Sequence, residues 1–170
     1  MNIREATVSD ASGIAKVHVD SWRTTYKGIV PDEYLKNLTY EKRTNLWINN
    51  ISAQNQYIIV AEDDSGNIVG FASGGKRVSN DTEGSGDLTS IYILKPFQGQ
   101  GIGTLLMNDL FAHFNAIGYR TIFVEVLNSN ESKFFYEAFG ASFFKGDTIT
   151  IQGKDLELLI YKWDNIEQLI

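Results

Sequence analysis

Three glycines alternate with other residues in Gln98-Gly99-Gln100-Gly101-Ile102-Gly103, between a strand-like run and a helix-like run. Upstream, Leu88 to Leu94 (LTSIYIL) is rich in β-branched residues and reads as a strand. Downstream, Ile102, Leu106, Leu110, Phe114 and Ile117 recur at helical spacing, and Gly118 supplies a C-terminal cap. Glycine carries an entropic cost, so a cluster marks a tight turn or a close approach to the backbone. A helix start leaves its first N–H groups unpaired and carries about half a positive charge. Glycines feeding that end let N–H groups converge on an anion, with phosphate the natural candidate. The same residues also suit a tight strand–helix connection that binds nothing.

The rest of the chain surrounds this unit with further strands and helices. Ile3 to Thr7 reads as a first strand, and Ser9-Asp10 as a helix cap. Ile14, Val17, His18, Ser21 and Trp22 then share one side of a helix running to about Tyr26. Pro31-Asp32-Glu33 suits a second helix start, and Glu41 to Ile51 is helix-like again. Two β-rich runs flank Asp63-Asp64-Ser65-Gly66-Asn67, a hairpin signal. Val78 to Gly86 is polar and reads as a loop. After the glycines and their helix come the strand TIFVEVL, a short helix from Asn130 to Phe139 stopped by Gly140, and a hairpin about Gln152-Gly153. The predicted class is α+β: a mixed sheet with helices on its faces.

With 170 residues, 43% of them apolar, and two prolines, a single domain over 1–170 is the economical expectation. Absence of cysteine excludes a disulfide framework, a thiolate metal site and a cysteine nucleophile. Met1 to Glu5 hold no apolar run, and no stretch approaches the roughly 20 apolar residues of a membrane span. A soluble, cytoplasmic protein without membrane contact is expected. The formal charge of −6 argues against a nucleic-acid partner. His18 and His113 lack partner acids at metal spacing and read as structural, so no metal is expected.

Two phosphate motifs fail on these glycines. No lysine follows them, as a Walker loop requires. A dinucleotide fingerprint starting at Gly99 needs glycine where Thr104 stands. Glu125 does end a following strand, as a ribose-binding acid would, so an NAD-dependent oxidoreductase stays as an alternative. Gln98 to Gly103 does fit [R/Q]-x-x-G-x-[G/A], and there the chain resembles the acyl-CoA pyrophosphate loop of the GNAT family of N-acyltransferases. SIYILKPFQGQGIGTLLM is similar to that family's central strand, proline turn and first CoA helix. NESKFFYEAFGASFF is similar to its next motif, with Asn130 six residues before Tyr136 and a glycine ending the helix. VHVDSWRTTYKGIVPDEYL resembles an opening found in one branch.

The resemblance implies a GNAT-like fold, a mostly antiparallel twisted sheet with helices on both faces. It implies an acetyl-CoA-dependent N-acetyltransferase that moves an acetyl group directly onto a primary amine. The pyrophosphate would lie on the N–H groups of Gly99, Gln100, Gly101, Ile102, Gly103 and Thr104, in the cofactor loop that Gln98 opens. The pantetheine would run beside Ile91, Tyr92 and Ile93 through their backbone, on a strand that splays from its neighbour. The N–H near Ile93 would meet the thioester oxygen. Asn130 would bond the pantetheine, cap its helix, or both. Tyr136 would be the general acid for the departing thiolate. An alkyl amine, with a pKa of about 10.4, must lose a proton before it attacks. Asp87 is the favoured base, with Glu83, Glu125 and Glu62 as competitors. Trp22 and Tyr26 would border the acceptor site, where core packing suits Trp22 equally well. Asp81, Glu83 and Asp87 hint at a cationic acceptor. An acyl-CoA-binding sensor without catalysis is the other reading, and homodimers are common in the family.

Overall fold

The computed structural model describes residues 1–78 and 82–170. Strands β1 (Asn2–Glu5), β2 (Gln56–Glu62), β3 (Ile68–Lys76), β4 (Ser85–Ile93), β5 (Thr121–Leu127), β6 (Ser142–Ile151) and β7 (Lys154–Trp163) form one sheet. Its order is β1-β2-β3-β4-β5-β7-β6. Neighbours run antiparallel except β4 and β5, which are parallel. Helices α1 (Ala11–Thr25), α2 (Asp32–Asn37), α3 (Tyr40–Ala53), α4 (Ile102–Ala116) and α5 (Ser132–Ala138) complete it.

Alternation along the strands divides the core between two faces. Leu106, Leu110, Phe111 and Phe114 of α4 pack with Ile122, Val124 and Val126 of β5 and Tyr136 of α5 on one face. Ile14 and Val17 of α1 and Trp47 of α3 pack on Ile58, Val60 and Phe71 on the other. The segment after α1 adds a third cluster, in which Tyr26, Val30 and Leu35 cover Leu127. The expected mixed sheet with helices on both faces is the one observed.

The polar run expected to be loop through Gly86 ends sooner, because β4 begins at Ser85. Its first residues pair on both sides, Gly86 with Lys76 and Ser85 with Thr121. Two-sided pairing overrides the weak strand preference of Gly86. A side chain there would also strike the Tyr119 ring at 2.7 Å. Asp10 stands at the N-cap of α1 but gives that helix no side-chain hydrogen bond; it instead accepts the Thr7 N–H at 2.8 Å, as the third residue of a capping box on the short Val8–Asp10 turn. Beyond β7, a short turn over Ile166–Leu169 seats Ile166 fully in the core, an element the sequence did not announce.

Arg4 clamps this start. Its guanidinium donates to both Asp10 oxygens at 2.8 and 2.9 Å and to Glu62 at 2.6 Å. The Arg4 hydrogen bond leads in holding the Asp10 carboxyl down at about 2, against 3.8 ordinarily. A depressed carboxyl stabilises the fold above its unfolded pKa, and that share is lost as pH falls towards the folded value. Urea unfolding between pH 4 and pH 2 is therefore expected to show about 2 kcal/mol of acid sensitivity that Arg4→Leu lacks.

Candidate active site

The parallel pair opens like a fork. Residues pair from Ser85 with Thr121 to Leu88 with Val124 and no further, although β4 continues to Ile93 and β5 to Leu127. A bulge is the local cause. On the β3 side Ser73 pairs with Ser90 and Gly74 with Leu88, so Thr89 is an extra residue. Its hydroxyl donates to the Ser73 carbonyl at 3.0 Å. A bulge bends and twists its strand, which steers β4 away from β5. A cavity of about 450 Å³ fills the gap, lined by Leu88–Ile93, Val124–Val126, the glycine loop, α1 and the start of α5. The Leu94 N–H bonds the Val69 carbonyl at 2.9 Å on the β3 side. Antiparallel alternation then turns the backbone groups of Ile91 and Ile93 towards the cavity and those of Tyr92 towards β3.

At one end the chain turns through Lys95–Phe97 into α4. Gly99 and Gly101 have φ of +73° and +81°, and no heavy atom lies within 4 Å of where their Cβ atoms would sit. These two are glycine for their left-handed backbone. Gly103 is glycine for packing, because its Cβ would press the Phe135 ring at 3.2 Å. Among the described residues, no acceptor takes the N–H groups of Gly99 to Thr104. The two glutamines brace the turn itself. Gln98 donates to the Ile93 carbonyl and Gln100 to the Pro96 carbonyl, each at 3.0 Å.

Deeper in, side chains from three elements meet. Tyr136 of α5 is buried and lines the cavity, and its hydroxyl has no hydrogen-bond partner among the described residues. Burial, with the nearby Tyr26 phenol as a lesser cause, pushes its pKa well above the usual tyrosine value, so it stays protonated. Asn130 donates to the Tyr26 hydroxyl at 3.1 Å, and its carbonyl oxygen accepts the Ser132 N–H at 2.9 Å. Trp22 donates to the Tyr92 hydroxyl at 3.0 Å. The Tyr92 ring stacks on His18 at 5.4 Å. His18 is structural: its Nδ1 accepts from Trp47 at 3.1 Å, and burial lowers its pKa to about 4. His113 stacks on Tyr57 at 3.7 Å.

The carboxylates named from sequence fall in different places. Asp87 does not line the cavity; it is ion-paired with Arg77, which lies over the Phe123 ring at 4.2 Å. Burial raises the Asp87 pKa and Arg77 partly offsets this. Glu62 is bound to Arg4, and Glu83 is exposed outside the cavity. Asp81 lies outside the described residues. Glu125 is exposed and lines the cavity. Sequence reasoning did not single out Thr89, Thr25 or Phe135 for the cavity wall, nor Arg77 as the partner of Asp87. Among the described residues no helix is long and apolar enough to cross a membrane, and no group of three or more His, Cys, Asp or Glu gathers to hold a metal.

Residues 18–141 match the acetyltransferase (GNAT) family. The uncharacterized N-acetyltransferase YuaI of Bacillus subtilis is 36% identical over 169 residues, covering 99% of this chain and 96% of that one. In fold, a ribosomal-protein-alanine N-acetyltransferase from Brucella melitensis superposes with a TM-score of 0.77 at 22% identity, over 96% of this chain and 99% of its own. A phosphinothricin acetyltransferase from Sinorhizobium meliloti, solved with acetyl-CoA, gives 0.75 at 21% identity over 96% and 88%.

Proposed function

The chain belongs to the acetyltransferase (GNAT) family, and from that premise we propose that it moves an acetyl group from acetyl-CoA directly to a primary amine. The observation that carries this reading is the fork. It offers unpaired N–H groups at one end and a protonated, unpartnered phenol at the other. The N–H groups of Gly99 to Thr104 suit a pyrophosphate. The edge of β4 suits an extended amide chain added like a strand. The Ile93 N–H would meet negative charge developing on the thioester oxygen.

Glu125 is the carboxylate best placed to take a proton from the incoming ammonium, since Asp87 is held by Arg77. The freed amine forms the C–N bond as the C–S bond breaks. Tyr136 gives its proton to the leaving sulfur and recovers one from the nitrogen, which sheds a second hydrogen on becoming an amide. One proton passes to solvent per turnover.

Calorimetric titration with acetyl-CoA, CoA and NAD, followed by an amine panel read by thiol release, tests the proposal. CoA binding with turnover supports it. Binding without turnover on any amine favours the acyl-CoA sensor, and NAD binding in place of CoA the oxidoreductase. Within the enzyme reading, Glu125→Gln is expected to cut kcat/KM about 10- to 30-fold at pH 7, and Asp87→Asn less than about threefold. The reverse order would return the base to Asp87.

A further inference from the structure

We infer that the acceptor is an alkylammonium with no carboxylate on the chain that enters the cavity. The inference rests on the transfer reaction proposed above and narrows its acceptor. The cavity lining takes Ser21, Thr25 and Tyr26 from α1 and its C-terminal cap, and Glu125 from β5. Among the described lining residues Glu125 is the single charged side chain; no lysine, arginine or histidine takes part.

Four cations outside the cavity have partners of their own. Arg77 is paired with Asp87, and Lys162 with Asp164 at 2.8 Å. Lys154 donates to the Ile29 carbonyl at 2.7 Å, and Arg23 to the Leu38 carbonyl at 2.8 Å. A substrate carboxylate would therefore enter beside a like charge with no cation among the described lining residues.

The hydroxyl wall makes the complementary argument. The Ser21 Oγ is buried and has no hydrogen-bond partner among the described residues. That oxygen is out of reach of solvent, while Thr25, one turn on along α1, also lines the cavity. An ammonium supplies three N–H donors, which suit one carboxylate and hydroxyl oxygens, whereas a carboxylate supplies none. The formal charge of −6 also favours approach of a cation.

Matched pairs of near-equal amine basicity test this: n-butylamine against γ-aminobutyrate, and cadaverine against ε-aminocaproate. Calorimetry on the CoA-saturated protein reads binding, and thiol release from acetyl-CoA reads kcat/KM. The carboxylate-free member of each pair is expected to be favoured at least about tenfold in both measurements. Glu125→Gln is expected to shrink that ratio to within about threefold, whatever it does to the rate. Equal or better use of the amino acids, or no binding of either member, would overturn the inference. A CoA titration that shows no binding, before any amine is added, would instead overturn the transfer reaction and the inference with it.

Discussion

Tyr136→Phe is expected to lower kcat for amine acetylation by about 10²–10³ while leaving acetyl-CoA affinity within about twofold. The ring is buried among Phe135 and Trp163, and phenylalanine keeps that packing. The hydroxyl makes no hydrogen bond among the described residues, so removing it orphans no partner. Stability is therefore expected to change by less than about 1 kcal/mol. Under the proposed mechanism the variant loses the proton donor for the departing sulfur. Burial holds the wild-type phenol above its usual pKa, so the donor stays charged with its proton across the neutral range. The wild-type rate should accordingly show no alkaline decline from this group below about pH 10. Stopped-flow or steady-state thiol release, with calorimetric titration of each protein, measures both quantities. An unchanged kcat would make Tyr136 an aromatic of the core and nothing more, and the departing thiolate would need another acid.

The strand, glycine turn and α4 were legible because their signals are local. Each step of the helical spacing from Ile102 to Ile117 covers about one turn, and the Gly118 cap follows at the next residue. The fork was legible only through the family resemblance. Its cause is a register shift at Thr89, and nothing in the sequence around Thr89 marks one residue of that strand as extra. The base assignment was uncertain for the same reason. Asp87 and Glu125 both read as acids beside a central strand. Arg77, arriving from the end of β3, ties up the first and leaves the second on the cavity wall. The aromatic contacts were likewise hidden by distance along the chain. Trp22 reaches Tyr92 and Asn130 reaches Tyr26 across separations of 70 and 104 residues. Composition and period cannot encode such pairings; the packing of α1 across the fork does.

Gly101→Val is expected to weaken acetyl-CoA binding by about 10² while the protein remains folded. Gly101 stands at φ +81° as the cap before α4. A β-branched residue resists that region, at a cost of about 1–3 kcal/mol. The loop is expected to relieve the strain by rotating, which would turn aside the N–H groups proposed to hold the pyrophosphate. Each charge-assisted hydrogen bond lost is worth about 1.5–3 kcal/mol, so one or two account for the expected loss. Gly66→Val separates strain from ligand contact. Gly66 has φ +83° in open space on the β2–β3 hairpin, outside the cavity. Both variants should lose similar thermal stability, and Gly101→Val alone should lose the cofactor. Gly103→Ala tests a different cause. Its Cβ presses the Phe135 ring at 3.2 Å, so any loss there comes from displaced packing between α4 and α5. If Gly101→Val bound acetyl-CoA as tightly as wild type, the left-handed turn would be a strand–helix connection alone. The anion would then have to be held by side chains.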